Sequence, residues 1–324
     1  MKILFTILVF FVCSTSSFAQ DFGWHHDEAA IKEMSIRPYA ATRAGRSTDP
    51  LPSEVFLWKM YEKVMGKGAP CKSQGKVGCC VAFGTANAIS MTMAVQIALG
   101  ADFEYRDLSE EVIYGGSRVQ IGGGKIRGDG SIGAWAAKFV QQYGVMARDK
   151  YGNFDLTVYS EKTCREFGNK GVPAELIAIA KNNPVKDIAR VSSWSQAKSA
   201  LAQGYGISIC SGVGFNGKRD ANGVKKANGY WAHCMALWGY CTLAGKEYGF
   251  IENSHGEEEG PVGPGKPNKA GFYVDSNTVE IMLRAGDSWA FSTLVGFPAR
   301  KLDWFVFAPR KEIPWYALLS QSFA

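Results

Sequence analysis

The run Gln74-Gly75-Lys76-Val77-Gly78-Cys79-Cys80-Val81-Ala82-Phe83 sets a thiol between a glycine turn and an apolar stretch. From Val81 onward Ala82, Ala86, Ile89, Met93 and Ile97 recur at steps of three and four, which predicts a helix with a buried stripe and puts Cys80 at its N-terminus. The unpaired N–H groups and positive dipole end there favour a thiolate, and a neighbouring imidazole would lower the thiol pKa further, into an ion pair. Gly78 lets the backbone bend sharply into the helix, exposing the sulfur and leaving amide N–H groups to face an oxyanion, with Gln74 as a second donor.

Taken alone, a Cys-Cys pair reads first as core filler or as halves of two disulfides. The residues downstream change that reading. Trp231-Ala232-His233 and Ile251-Glu252-Asn253-Ser254 supply the order Cys, His, Asn that nucleophilic chemistry uses. Of the four histidines, His25 and His26 stand in the N-terminal leader, which leaves His233 and His255 as candidate bases. His233 precedes an apolar strand, Met235 to Cys241, and is taken as the base. Asn253 follows the strand-like Tyr248 to Ile251; its amide oxygen would accept the imidazole N–H and fix the ring, although Asn-Ser is also ordinary turn chemistry.

Together these stretches resemble the papain-like cysteine peptidases. Gln74, Gly75, Gly78, Cys80, Ala82 and Phe83 match the family's Gln-Gly-x-Cys-Gly-Ser-Cys-Trp-Ala-Phe motif. The segment from His233 to Cys241, with Gly239-Tyr240, is similar to the family's histidine strand, and Asn253-Ser254 to its Asn-Ser-Trp-Gly. His233 lies 153 positions after Cys80, close to the roughly 130–150 of the papain signature. The resemblance, which spans about Leu51 to Val274, implies an α+β fold of two subdomains, a helical left half and an antiparallel, β-barrel-like right half, with the active-site cleft between them. It implies Cys80, His233, Asn253 and Gln74 as the catalytic set, and Gly130 and Ser131 as the loop that pairs with an extended substrate backbone.

Departures are informative. Val81 and His255 stand where the family has tryptophans, the second of which shields the Asn–His hydrogen bond; a wetter or differently covered triad is expected, or a second titrating group in His255. Val77 and Gly128 stand where the family has two cysteines, so both halves of one disulfide are missing together. The implied activity is hydrolysis of peptide bonds through a Cys80 thioester, with a protein or peptide as substrate and no cofactor or metal ion. A transpeptidase or ligase on the same scaffold, and a silent papain-like binding protein, are the alternatives.

The 324 residues, 46% of them hydrophobic, suffice for one large domain or two moderate ones. Met1-Lys2, the apolar run Ile3 to Val12 and Ser17-Phe18-Ala19 have the pattern of a secretory signal over 1–19, with no other stretch expected to span a membrane. Residues 20–50 read as a short leader or pro-segment, 51–190 as a helical subdomain with the nucleophile, 191–312 as a β-rich subdomain with His and Asn, and 313–324 as a tail. Beyond the signal the seven cysteines are an odd number, as expected for three bridges and one free thiol in an exported thiol enzyme. A net charge of +6 without a dense basic tract gives no reason to expect nucleic acid as a partner, and a monomer off the membrane is expected.

Helices are further predicted at Ile132 to Tyr143, stopped by Gly144, and from a Ser195 cap toward Gly204, and Leu108-Ser109-Glu110-Glu111 resembles the Leu-Ser-Glu entry to the family's second helix. Strands are predicted at Ile207–Val213, Met235–Cys241, Glu247–Glu252, Gly271–Asp275 and Leu294–Phe297. Glu257-Glu258-Glu259 in the polar loop from Gly256 to Lys269 reads either as a solvated turn or as an acidic rim of the cleft that favours basic substrates.

Overall fold

The computed structural model describes residues 20–183, 185–293, 297–300, 302 and 304. The N-terminal part gives strand β1 (Gln20–Asp21), helix α1 (Glu28–Glu33), strand β2 (Val55–Phe56) and helix α2 (Leu57–Met65). The helical part follows with α3 (Cys80–Ala98), α4 (Glu110–Gly115), a π-helical stretch over Gly116–Ile121 and α5 (Gly133–Tyr143). A hairpin of β3 (Lys150–Tyr151) and β4 (Phe154–Asp155) leads to α6 (Glu161–Lys170) and α7 (Ala174–Ala180). The β-rich part comprises β5 (Asp187–Arg190), α8 (Trp194–Ala202), β6 (Ile207–Val213), β7 (Tyr230–Leu243), β8 (Lys246–Glu252), β9 (Gly271–Asp275), α9 (Ser276–Arg284) and β10 (Asp287–Ser292).

The main sheet runs β5-β10-β6-β7-β8-β9, antiparallel at each of these pairings, with β2 antiparallel and β1 parallel on β7. Helices and an antiparallel sheet confirm the expected α+β class. The right half is nevertheless an open sheet: among the described residues β5 and β9 are its two ends and no barrel closes.

Helix α3 departs from its expected stripe. Every residue of it is buried except Met93, Ile97 and Ala98, two of which the stripe had placed inside. The helix is long and apolar enough to cross a membrane, but it is enclosed by protein, packing against β7, β6, α2, α4, α5 and β10. Such enclosure favours polar positions that are satisfied internally, as Thr92 is: its Oγ1 donates to Ala88 O (3.2 Å) and accepts from Gly206 N (2.9 Å), whereas Thr85 Oγ1 and Ser90 Oγ meet no partner among the described residues. It also needs close backbone approach. A Cβ on Gly206 would lie 2.1 Å from Ala88 O, and one on Gly84 would lie 2.8 Å from Met235 O, so both contacts require glycine.

Most other expected elements are present. Gly144 ends α5 with φ +87°, and β6 and β9 have the predicted bounds. The cap of α8 is Ser193, which accepts from Gln196 N, rather than Ser195. Strand β10 was missed: the expected Leu294–Phe297 falls mostly on 294–296, outside the described residues, and Phe297 is irregular. Among the described residues one disulfide, Cys210–Cys234, joins facing positions of β6 and β7; Cys71, Cys79, Cys80, Cys164 and Cys241 are free thiols rather than members of two further bridges. A buried disulfide fits an oxidising environment.

Candidate active site

Three elements bring the predicted residues together. Cys80 begins α3, His233 lies on β7, and Asn253 follows β8, which is hydrogen-bonded to β7 with Ala236 opposite Glu252. The N–H of Cys234, next to His233, donates to Cys80 Sγ (3.3 Å). His233 Nε2 and Asn253 Oδ1 are 2.8 Å apart, while His233 Nδ1 is buried without a hydrogen-bond partner among the described residues.

Gln74 is held from both ends. Its backbone N–H donates to Ser254 O (2.8 Å), its Oε1 accepts from Ser254 Oγ (2.7 Å), and Tyr159 OH donates to its carbonyl (3.0 Å). Its Nε2 therefore has a fixed direction, and it donates to Val77 O and Phe22 O, both at 2.9 Å.

Phe22 belongs to the leader, whose course had no sequence signature. From β1, where it runs parallel to β7, the leader crosses the site: Phe22 and Trp24 N–H groups donate to Ala232 O at 3.1 and 3.2 Å. Ser131 N then donates to Gly23 O (2.8 Å), and His25 N to Ser131 O (2.9 Å). Ser131 of the predicted loop thus pairs with backbone, and that backbone is the chain's own, while the Gly130 N–H donates to Tyr114 OH (2.9 Å). Trp24 anchors it by donating from Nε1 to buried Asp287 Oδ2 (2.8 Å), which also takes Gly133 N (2.7 Å). The Phe22 ring lies 4.8 Å from that of His233 and 4.2 Å from that of His255.

With the leader seated, Cys80, His233 and Asn253 are fully buried, so the triad is differently covered rather than wetter. His255 stacks on His233 at 4.7 Å and 18°, so an imidazole covers the Asn–His pair. Burial pushes the Cys80 thiol well up, further raised by Cys79 and Asp21 and only partly offset by the Cys234 N–H. Burial likewise holds the His233 imidazole well below its ordinary value, with His255 adding to this and Asn253 opposing it. In this closed arrangement burial therefore works against the expected thiolate–imidazolium pair and favours the neutral thiol and the neutral imidazole. His255 is pushed down to about 4, chiefly by burial.

The acidic run is not an uncompensated rim. Glu257 pairs with Lys269 (3.2 Å), Glu258 with Lys225 (2.5 Å) and Glu259 with Lys218. Glu258 also accepts from Asn253 Nδ2 (2.8 Å), a contact that sequence reading did not find. A cavity of about 640 Å³ lies elsewhere, lined by Ile89, Met93, Phe103, Arg106 and Tyr151, and includes none of these site residues.

No curated protein matches this sequence. Among solved structures the fold is similar to digestive procathepsin L 3 of Tenebrio molitor larval midgut (15% identity, TM-score 0.53, 84% of this chain and 76% of that one). It is also similar to xylellain, a cysteine protease from Xylella fastidiosa (17% identity, TM-score 0.54, 85% and 92%). At such identities the likeness concerns the fold alone. The sequence itself matches the family described as papain family cysteine protease over residues 53–265, well over half of the chain and all of the stretch from Gln74 to Asn253. The chain belongs to the papain family of cysteine proteases.

Proposed function

We propose that this protein is an exported cysteine endopeptidase whose leader occupies the cleft and keeps it latent. The observation that carries the reading is Gln74 Nε2 holding a backbone carbonyl, that of Phe22, beside a thiol at a helix N-terminus and a histidine bonded to Asn253. Once the leader leaves, water and substrate replace it, the burial that keeps Cys80 and His233 neutral is relieved, and the proton passes from Cys80 Sγ to His233. The thiolate attacks the carbonyl carbon of a peptide bound along Gly130-Ser131. Gln74 Nε2 and the Cys80 backbone N–H stabilise the oxyanion, and protonated His233 delivers its proton to the leaving amine. Water then hydrolyses the thioester, with His233 as base. The signal-like residues 1–19 and the Cys210–Cys234 bridge support export.

The test is the rate of Cys80 alkylation by iodoacetamide across pH 4 to 9, with peptide hydrolysis followed in parallel, in the mature protein after the leader has been removed and in its His233→Ala variant. Fast alkylation persisting well below the ordinary thiol pKa of about 8.5, lost in His233→Ala and accompanied by hydrolysis, is expected. Incorporation of an added amine into product would identify the transferase alternative. An ordinary thiol titration in both proteins would leave a binding protein on a papain-like fold.

A further inference from the structure

A papain-type thiol site works only if the histidine nitrogen facing away from the asparagine carries the free lone pair. That is decided by which way the Asn253 amide points, because its oxygen accepts and its nitrogen donates. Two groups converge on Oδ1: His233 Nε2 at 2.8 Å and the Ser254 N–H, also at 2.8 Å. On the other side of the amide, Nδ2 meets Glu258 Oε1 at 2.8 Å and His255 Nδ1 at 3.2 Å. A carboxylate can only accept, so Glu258 fixes Nδ2 on its side and leaves Oδ1 to His233. His233 Nε2 must then carry the hydrogen, which leaves the lone pair on Nδ1, the buried nitrogen without a partner.

Glu258 is itself held rigidly. Its Oε2 pairs with Lys225, and the two side chains are only 14% and 4% exposed. Its backbone N–H donates to Lys269 O (2.8 Å), and its carbonyl accepts from Arg219 Nη2 (2.7 Å). Arg219 also donates to Gly260, Lys269 and Gly271 carbonyls, stitching the loop to the start of β9.

We propose that Glu258, braced by Lys225, is a positioning residue that sets the Asn253 amide and through it the tautomer of His233. The middle residue of the acidic run thus serves the triad, while its neighbours face solvent. This inference deepens the reading of Cys80 and His233 as nucleophile and base, and its test does not depend on turnover. The charged and titratable groups around the pair are Cys80 on α3, Asp21 on the leader, His255 and Glu258 after β8, Glu252 at its end, and Lys225 and Arg219 between β6 and β7.

The experiment is ¹⁵N–¹H correlation of the histidine rings at pH 7 in the full chain, with Glu257→Gln and Glu259→Gln as controls. The native protein is expected to show His233 in the Nε2–H form. In Glu258→Gln, Lys225 retains the new amide oxygen and turns the new NH₂ toward Asn253, so a second, Nδ1–H set of His233 signals is expected, with Cys80 alkylation at pH 6, compared after the leader has been removed from each protein, slowed about tenfold or more. Adding Asn253→Asp to that variant supplies an oxygen for both neighbours; the single Nε2–H form and alkylation within about threefold of native are expected to return. A generally loosened structure would not be rescued by a second substitution. An Nδ1–H form in the native protein overturns the proposal by itself, even if Glu258→Gln does not fold, and so does a Glu258→Gln spectrum identical to native. An ordinary thiol titration after removal of the leader, in a protein with the Nε2–H form, would instead count against the peptidase reading and leave the positioning role standing.

Discussion

Lys72 acts on two buried carboxylate groupings, the pair Glu110 and Glu111 and the single Glu252, and burial ends in opposite protonation in them. Glu110 and Glu111 open α4 and meet Arg148, while Lys72 Nζ adds 2.8 Å to Glu110 Oε1. Burial pushes the Glu110 carboxyl up, yet Lys72 and Arg148 together outweigh it and hold it below the usual range. Glu252, the last residue of β8, is as deeply buried; its Oε1 accepts from Asn268 Nδ2 (2.8 Å) and its Oε2 has no partner. Lys72 and Arg219 act on it only from a distance, and burial carries it up to about 8. Burial raises both carboxyls alike; a cation in hydrogen-bonding contact decides the charge. Cys80 and His233 under the leader follow the Glu252 pattern, and an open cleft would move them away from it.

The widest effect expected from this contrast is on pH dependence. Glu252 has a folded pKa above its unfolded one of about 4.5, so its stabilisation is complete below that value and is lost as pH rises toward 8, a loss on the order of 4 kcal/mol. Glu110 has its folded pKa lowered, so its contribution is present above the unfolded value and disappears as pH falls through the folded one. Stability should therefore decline on both sides of a mildly acidic maximum. Denaturant titrations of Glu252→Gln are expected to remove the alkaline decline and keep the acid one; an unchanged alkaline decline would break the comparison at Glu252.

Arg148→Met attacks the other cluster. It leaves Glu111 buried without its cation and Glu110 with Lys72 alone, at a cost of about 3–5 kcal/mol, which thermal unfolding should register as a fall in Tm of about 10 °C. The clusters also show what could be read from sequence. Leu108-Ser109-Glu110-Glu111 announced a helix start through its resemblance to the entry of the family's second helix, and two carboxylates in that first turn suit the helix dipole. Their cation, Arg148, comes from beyond α5, and no local pattern points to it. The same division holds at the site. Gln74, Cys80, His233 and Asn253 each stand in a motif with its own spacing, and the structure brings them together. Phe22 and Trp24 of the leader, and Asp287 of the missed β10, act only through tertiary contacts and carry no periodicity.

That leader supplies a smaller effect. Trp24→Phe keeps the ring and removes the donor to Asp287, loosening the strap by about 1–2 kcal/mol. Cys80 alkylation should then become about tenfold faster in the full chain. An unchanged rate would mean that the backbone bonds to Ala232 and Ser131 hold the leader without the anchor.

The smallest effect tests the comparison within three consecutive residues. Glu257, Glu258 and Glu259 look equivalent in sequence, and each has a lysine partner in the structure. Only Glu258 turns inward, onto Lys225 and Asn253; Glu259 and Lys218 meet in solvent, 69% and 76% exposed. An exposed ion pair is screened by water and salt and has its side-chain ordering set against it. Glu259→Gln is therefore expected to leave both Tm and the rate of Cys80 alkylation unresolved from native at physiological ionic strength. If it shifted either one, the run would be acting as a single charged unit on the site, and the special standing of its middle residue, which rests on direction and burial rather than on charge, would be lost.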